Sequence, residues 1–164
     1  MNIRNANKDD VPAITEIYNH YIRHTVATFH EQSLSVKELQ QRLQETQADF
    51  PWLVGEVDGQ VIAYSYARAW RYRQAYRYSV ESTIYVRDGY YGHGYGTALY
   101  RSLIEELSRG PFHVVLAGIT LPNDASVSLH EKLGFRKTAH FDEIGRKFDQ
   151  WLDVGYWQLI LPDK

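Results

Sequence analysis

Apolar positions along this chain follow two spacings, one of two residues and one of three to four residues. The two-residue spacing and short apolar runs predict seven strands, at residues 3–6, 52–57, 61–69, 78–86, 114–119, 135–144 and 151–161. The longer spacing predicts four helices, one capped by Asp9 or Asp10, one opened at Ser35, and two at residues 97–107 and 124–133. Strands and helices are mixed in order, which indicates a single α+β (α/β mixed) domain, residues 1–164, around one mixed sheet.

A capping box marks the start of the second helix. Ser35 and Glu38 have the spacing at which each side chain satisfies a backbone N–H of the first helical turn. The following Val36, Leu39 and Leu43 recur on one side of that helix.

Turn residues and one apolar run define other boundaries. Asp58-Gly59 suits a hairpin whose two central residues have positive φ, and Gly134 suits the left-handed end of a helix. Residues 114–119 are almost continuously apolar, which predicts a central strand buried on both faces.

Composition removes several classes of function. The 164 residues have a formal net charge of -2 and a pI near 6.4, which argues against a general nucleic-acid-binding protein. The absence of cysteine excludes disulfides, thiolate nucleophiles and cysteine-ligated zinc, and we expect no metal. The chain has no apolar run of about 18 residues and no signal-like apolar segment after Met1, so we expect a cytoplasmic protein with no membrane partner.

A glycine-rich turn between a predicted strand and a predicted helix has the sequence Gly92-His93-Gly94-Tyr95-Gly96-Thr97. Glycines allow close backbone approach, and the N–H groups of a helix start attract phosphate. The dinucleotide fingerprint fails because Thr97 stands where a third glycine is needed, and the G-K-[ST] of a phosphate loop is missing. A pyrophosphate held without lysine or magnesium, as in coenzyme A, and a purely structural turn both stay open.

The order of strand, Gly-x-Gly-x-Gly turn, helix, strand, asparagine, helix and Gly-Phe resembles the GCN5-related N-acetyltransferase (GNAT) family. Six segments are similar to its phosphinothricin N-acetyltransferase branch: residues 17–22 (IYNHYI), 51–54 (PWLV), 81–86 (ESTIYV), 121–127 (LPNDASV), 129–131 (LHE) and 151–157 (WLDVGYW). The resemblance implies a mostly antiparallel sheet flanked by helices and a homodimer. It also implies acetylation, from acetyl-CoA, of the α-amine of a small amino-acid-like substrate.

The substrate implied first is phosphinothricin (glufosinate). The alternatives are methionine sulfoximine or sulfone, on the scaffold of a related branch, and a non-catalytic acyl-CoA-binding module.

The same resemblance implies two catalytic residues. Glu81 matches the branch's general base, and its other interpretation is a solvated acid at a strand end. His130 is a candidate for the general acid or for orienting the substrate, and its other interpretation is a structural histidine.

The resemblance also implies a cofactor site. Ile84, Tyr85 and Val86 would offer backbone groups to pantetheine, Asn123 would reach the same arm, and residues 92–97 would hold the pyrophosphate. A core strand, a helix cap and a turn are the structural alternatives. Tyr91 departs from the family turn, which usually has Arg or Gln there.

Residues 68–78 contain four arginines and no acid, interleaved with aromatic residues. Guanidinium groups suit carboxylates and phosphinates, and by resemblance Arg71, Arg73 and Tyr76 match substrate contacts of the branch. Arg71 stands where the branch often has lysine, and Phe29 matches a pocket aromatic or is a core residue. An exposed charged loop and a single-stranded nucleic-acid site are the alternatives for this segment.

Overall fold

The computed structural model describes residues 1–162 and contains one seven-stranded sheet in the order β1-β2-β3-β4-β5-β7-β6. Its strands are β1 Asn2–Asn5, β2 Trp52–Val57, β3 Gln60–Ala69, β4 Ser79–Val86, β5 Val114–Leu121, β6 Arg136–Lys147 and β7 Gln150–Ile160. The β4–β5 pair is parallel and the other pairs are antiparallel, so the predicted mixed, mostly antiparallel sheet is confirmed.

Four helices cover the two faces of this sheet. They are α1 Val11–His24, α2 Val36–Gln47, α3 Tyr95–Arg109 and α4 Asp124–Lys132. Alternation along β2 sends Trp52 and Val54 into the core beneath α1 and α2, whereas Leu53 joins the core beneath α3. None of the helices among residues 1–162 has the length and apolarity needed to cross a membrane.

The predicted helix starts are partly right. The Ser35 capping box forms as expected. Asp10 precedes α1 as predicted, but its carboxylate does not cap that helix, because it binds Arg4 and accepts from the Asn7 N–H instead. Val36 is exposed, since only Leu39 and Leu43 of that helix face the core.

The prediction that the central strand is buried on both faces is wrong. On β5 the side chains of Val115, Ala117 and Ile119 are buried beneath the helices. Leu116 is partly exposed and Gly118 is exposed on the other face. That face of β5 borders a pocket instead of a second helical layer, so an apolar run here also serves a cavity.

Candidate active site

A slot opens in the middle of the sheet because β4 and β5 diverge. Their parallel pairing runs from Ser79 to Glu81, which lies opposite Leu116. Beyond that pair β5 stays bonded to β7 as far as Leu121, while β4 stays bonded to β3. Within residues 1–162, no strand pairs with the β5-facing edge of β4 past Glu81. The resulting slot has a volume of about 440 Å³ and is lined by backbone and apolar side chains from both strands.

The predicted residues Ile84, Tyr85 and Val86 all line this slot. The Val86 carbonyl accepts from the Tyr21 hydroxyl at 2.7 Å, so one of its two acceptor positions is already used. The Tyr85 ring contacts the ring of Tyr21 at 4.7 Å between centroids. Aromatic contacts therefore hold the end of β4 that forms the slot wall.

The N-terminus of α3 lies beside the slot with its first N–H groups uncapped. Gly92 and Gly94 have φ of 81° and 77°, the left-handed region that only glycine adopts without strain. No side chain caps α3, and its first backbone bond runs from the Ala98 N–H to the Gly94 carbonyl. A Cβ on Gly96 would lie 3.3 Å from side chains of Val86 and Leu129, which both line the slot.

This geometry would suit an anion at one end of the slot, because uncapped N–H groups at a helix start carry partial positive charge. The helix begins at Tyr95, two residues earlier than predicted, so Tyr95, Gly96 and Thr97 form its first turn. His93 is exposed, with its ring 5.6 Å from that of Tyr95.

On the opposite wall, α4 contributes Asn123 and His130. Asn123 caps α4, accepting from the Ser126 N–H at 3.1 Å through Oδ1. The cap interpretation is therefore correct, and it does not conflict with a position on the slot.

His130 is buried and both of its ring nitrogens are engaged. Nδ1 lies 2.7 Å from the Ser126 carbonyl, which can only accept, so Nδ1 carries a proton. Nε2 lies 3.1 Å from the Tyr100 hydroxyl, which is 2.5 Å from Ser82 Oγ. Burial lowers the pKa of His130 below the usual imidazole range, so the ring is neutral at pH 7 and Nε2 accepts from Tyr100.

A second cavity of about 570 Å³ lies beyond the closed end of the slot. Its wall includes the predicted residues Phe29, Arg71 and Glu81. Gly118 and Thr120 of β5 border both cavities, as does Ala27. The two cavities therefore meet over β5, next to the last paired residue of β4.

Glu81 lies at this junction, and its two carboxylate oxygens have different surroundings. Oε2 accepts from Arg68 Nε at 2.9 Å and from a terminal nitrogen of the same guanidinium. Oε1 is 3.4 Å from the Tyr156 hydroxyl. The ion pair with Arg68 fixes the carboxylate through Oε2, whereas Oε1 has the Tyr156 hydroxyl beside it.

Comparisons with known proteins agree with this geometry. Residues 3–155 match the family model described as an acetyltransferase (GNAT) domain. The chain is 39% identical to a phosphinothricin N-acetyltransferase of Streptomyces viridochromogenes, over 96% of this chain and 86% of that protein. It is 40% identical to an L-methionine sulfoximine/L-methionine sulfone acetyltransferase of Salmonella typhimurium, over 99% of this chain and 96% of that one.

Among solved structures, a putative acetyltransferase from Salmonella typhimurium with its cofactor acetyl-CoA superimposes with a TM-score of 0.97. The two are 39% identical, over 100% of this chain and 95% of that chain. This chain belongs to the GNAT acetyltransferase family. Family membership confirms the predicted N-acetyltransferase activity, with acetyl-CoA as the co-substrate.

The acetyltransferase has a donor set that fits coenzyme A. Uncapped N–H groups at the start of α3 suit a diphosphate, and a mostly apolar slot with one strand edge exposed suits an amide-bearing arm. Acetyl-CoA supplies an acyl carbon activated by its thioester. The enzyme's own residues must then place an amine beside that carbon and remove its proton.

Two of the predicted substrate residues are not brought to either cavity. Arg73 is exposed at the start of the short 3₁₀ turn Gln74–Tyr76, and Tyr76 is 43% exposed. Arg71 does reach the second cavity, with its guanidinium 4.4 Å above the ring of Trp70.

No sequence pattern used above predicts Arg68, Trp70 or Tyr156 as a site residue. Arg68 is opposite Glu81 in the β3–β4 register, a relation that a correct strand alignment could have revealed. Trp70 directly precedes Arg71, so its position next to a predicted substrate residue could have indicated that it belongs to the site. Tyr156 comes from the last strand, and only the three-dimensional fold brings it to Glu81.

Proposed function

We propose that this acetyltransferase acetylates the α-amine of a small anionic amino acid, with phosphinothricin as the preferred compound. One observation carries the proposal: the slot and the second cavity meet at Gly118, and a fixed carboxylate, Glu81, faces that junction. A carboxylate at the meeting point of two cavities is what amine deprotonation beside a thioester requires.

Glu81 is the proposed general base. An α-amine arrives mostly as ammonium, which has no lone pair for attack, so it must first lose a proton to Oε1 or through a water. The amine nitrogen then bonds to the acyl carbon, the C–S bond breaks, and the sulfur leaves with its electron pair. In total, an ammonium and a thioester become an amide, a thiol and one proton released to solvent.

Of its two candidate roles, His130 is assigned the orientation of the substrate and not that of general acid. Its Nδ1 proton is bound to the Ser126 carbonyl and its Nε2 accepts from Tyr100, so neither nitrogen offers a proton to a leaving sulfur. The chain from His130 through Tyr100 to Ser82 connects α4, α3 and β4 around the slot. The general acid is left unassigned.

The anionic end of the substrate is assigned to the arginine loop after β3. Arg71 lines the second cavity and stacks on Trp70, which limits the motion of its guanidinium. A guanidinium can bind a carboxylate or a phosphinate through two parallel hydrogen bonds. Arg73 and Tyr76 lie on the same loop but outside both cavities, so their proposed contacts rest on the family resemblance alone, whereas Phe29 lines the second cavity and is proposed as its apolar wall.

A second candidate substrate is methionine sulfoximine or methionine sulfone. It is favoured by the relative from Salmonella typhimurium, which matches this chain over nearly its whole length at 40% identity. Both candidates are α-amino acids with a tetrahedral polar group on the side chain, so the same carboxylate and arginine serve either.

A thiol-release assay with acetyl-CoA tests the proposal against amino acids and their phosphinic and sulfoximine analogues. We expect the highest kcat/KM on phosphinothricin. A preference of tenfold or more for methionine sulfoximine would replace the substrate assignment. The absence of turnover on every amine in the panel would remove the proposed function.

A homodimer and a cytoplasmic location also remain proposals. The homodimer rests on the family resemblance, and light scattering coupled to size exclusion would measure it directly. A monomeric mass across the concentration range of the kinetic assays would contradict it.

A further inference from the structure

The ring of Tyr156 lies across β5 toward Glu81. Tyr156 is on β7 and is paired with Gly118 of β5. A Cβ on Gly118 would lie 3.2 to 3.3 Å from Tyr156 ring atoms and its hydroxyl, closer than ordinary van der Waals contact. The missing side chain at Gly118 therefore makes room for this phenol at the point where the two cavities meet.

Two other rings fix the phenol in place. Trp70 packs edge-on against Tyr156 with centroids 5.1 Å apart, and Phe141 does so at 6.0 Å. Such edge-to-face contacts favour one ring orientation. The hydroxyl at the end of the ring is thereby held 3.4 Å from Glu81 Oε1.

The hydroxyl keeps its proton at neutral pH. Burial raises the pKa of Tyr156, and the nearby Glu81 carboxylate raises it further. A neutral phenol can donate one hydrogen bond and accept others, whereas Glu81 as a carboxylate only accepts. Arg68 binds Oε2, and the other oxygen of the carboxylate, Oε1, accepts from this phenol.

We propose that Tyr156 is an amine-positioning residue, whose hydroxyl and Glu81 Oε1 together hold the nitrogen of the substrate. An ammonium has three N–H donors, and the two oxygens provide two acceptors close to each other at the cavity junction. As Glu81 takes one proton, the phenol oxygen accepts from a remaining N–H and so directs the new lone pair toward the slot. This inference rests on the proposed function of the enzyme.

The test compares Tyr156→Phe with Tyr90→Phe. The first change keeps the ring and its contacts and removes only the hydroxyl, so the fold should be unaffected. Tyr90 lies outside both cavities and its hydroxyl donates to Gln60, so its variant, which also removes one hydrogen-bonded phenol hydroxyl, is the matched control. For Tyr156→Phe we expect about a tenfold loss of kcat/KM for the amine, the size of one hydrogen bond to a charged group. The KM for acetyl-CoA and the thermal unfolding midpoint should match the wild type.

The outcomes separate this inference from the proposed function. If the wild type is active and Tyr156→Phe has unchanged amine kinetics, the role of Tyr156 is wrong while the function stands. An equal loss toward acetyl-CoA and the amine would indicate a scaffold role and would also overturn it. A wild type without turnover on any amine would reject the function, and the role of Tyr156 with it.

Discussion

The two cavities that meet at Gly118 differ in the protein groups that they offer to a ligand. The slot has mostly apolar side chains in its wall, and the groups proposed to bind the cofactor are main chain: a strand edge released where β4 and β5 diverge, and the uncapped first turn of α3. The second cavity is bounded by side chains from separate segments, including Phe29, Arg71 and Tyr156. Main-chain N–H and C=O groups are present whatever the side chain is, whereas a wall made of side chains changes whenever one of its residues is substituted.

This difference implies that the two halves of the enzyme can change independently. Substitutions at the second cavity should alter the choice of amine without affecting acetyl-CoA, and substitutions at the glycine turn should do the reverse. Glu81 lies between them, bound to Arg68 on one side and open to the junction on the other. It is therefore the residue whose loss should affect the chemical step most, while acetyl-CoA binding stays unchanged.

Replacing Glu81 by Gln should have the largest effect. Glutamine keeps the size of the side chain and removes its basicity, so we expect kcat to fall by about 10²-fold or more. The dissociation constant for acetyl-CoA, measured by calorimetry, should stay at the wild-type value. Glu105→Gln, on the exposed face of α3, is the control and should be as active as the wild type. Full turnover by Glu81→Gln would exclude Glu81 as the base.

Replacing Gly94 by Ala tests the proposed binding of acetyl-CoA by main-chain groups at the start of α3. Gly94 has φ of 77° and precedes α3, so a Cβ strains the turn by about 1–2 kcal/mol and shifts the first N–H groups. We expect the KM for acetyl-CoA to rise about tenfold, because a loss of about 1.4 kcal/mol of binding free energy weakens binding by a factor of ten. The KM for the amine should be unchanged.

Gly89→Ala is the matched control for this change. Gly89 has φ of 83° and, like Gly94, has no neighbour within 4 Å of a Cβ, so both variants introduce the same kind of strain. Gly89 lies before the turn and does not line the slot. Equal effects of the two variants on acetyl-CoA would mean that strain alone, and no anion site at α3, explains the loss.

Replacing Arg71 by Ala tests the proposed binding of the amino-acid substrate by side chains at the second cavity. The variant removes the guanidinium that lines the second cavity, so the KM for an anionic amino acid should rise about fivefold, within the range for a partly exposed charge-assisted bond. Kinetics with acetyl-CoA should be unchanged. Arg77→Ala is the control on the same loop, since its guanidinium stacks on Tyr78 away from the cavity. A rise of the same size in both variants would assign the effect to the net charge of the loop.

The contrast between main chain and side chains also explains what the sequence could predict. The Ser35 capping box, the Asp58-Gly59 turn and the glycine turn before α3 follow from neighbours on the chain, and all three are present. The contact of Tyr156 with Glu81 joins residues 75 positions apart, and no local pattern encodes it.

The wrong predictions have the same cause. Asp9 or Asp10 was expected to cap α1, yet Arg4 on the first strand, six positions before Asp10, binds the Asp10 carboxylate. The apolar run of β5 was expected to be covered on both faces, since periodicity distinguishes apolar from polar positions but not a packed face from a cavity wall. Local signals define the elements, and the arrangement of those elements determines the second cavity.

Replacing Lys147 by Met should have the smallest effect. That effect should be on the stability of the protein around the second cavity. Lys147 is buried, and its ammonium donates to the Thr28 carbonyl at 2.7 Å, next to the Phe29 that lines the second cavity. Burial lowers the pKa of Lys147 below the usual value of about 10.5. The unfolded chain therefore binds this proton more tightly than the folded one, so the contribution of Lys147 to stability increases as pH rises toward that usual value.

Urea unfolding at pH 7 and pH 9.5 would measure this dependence. The free energy of unfolding of Lys147→Met, relative to the wild type, should be lower at pH 9.5 than at pH 7, because the variant lacks the alkaline gain. Lys132→Met, at an exposed position of α4, is the control and should show no such change. A difference between Lys147→Met and the wild type that is the same at both pH values would mean that the ammonium is as well solvated in the fold as in the unfolded chain.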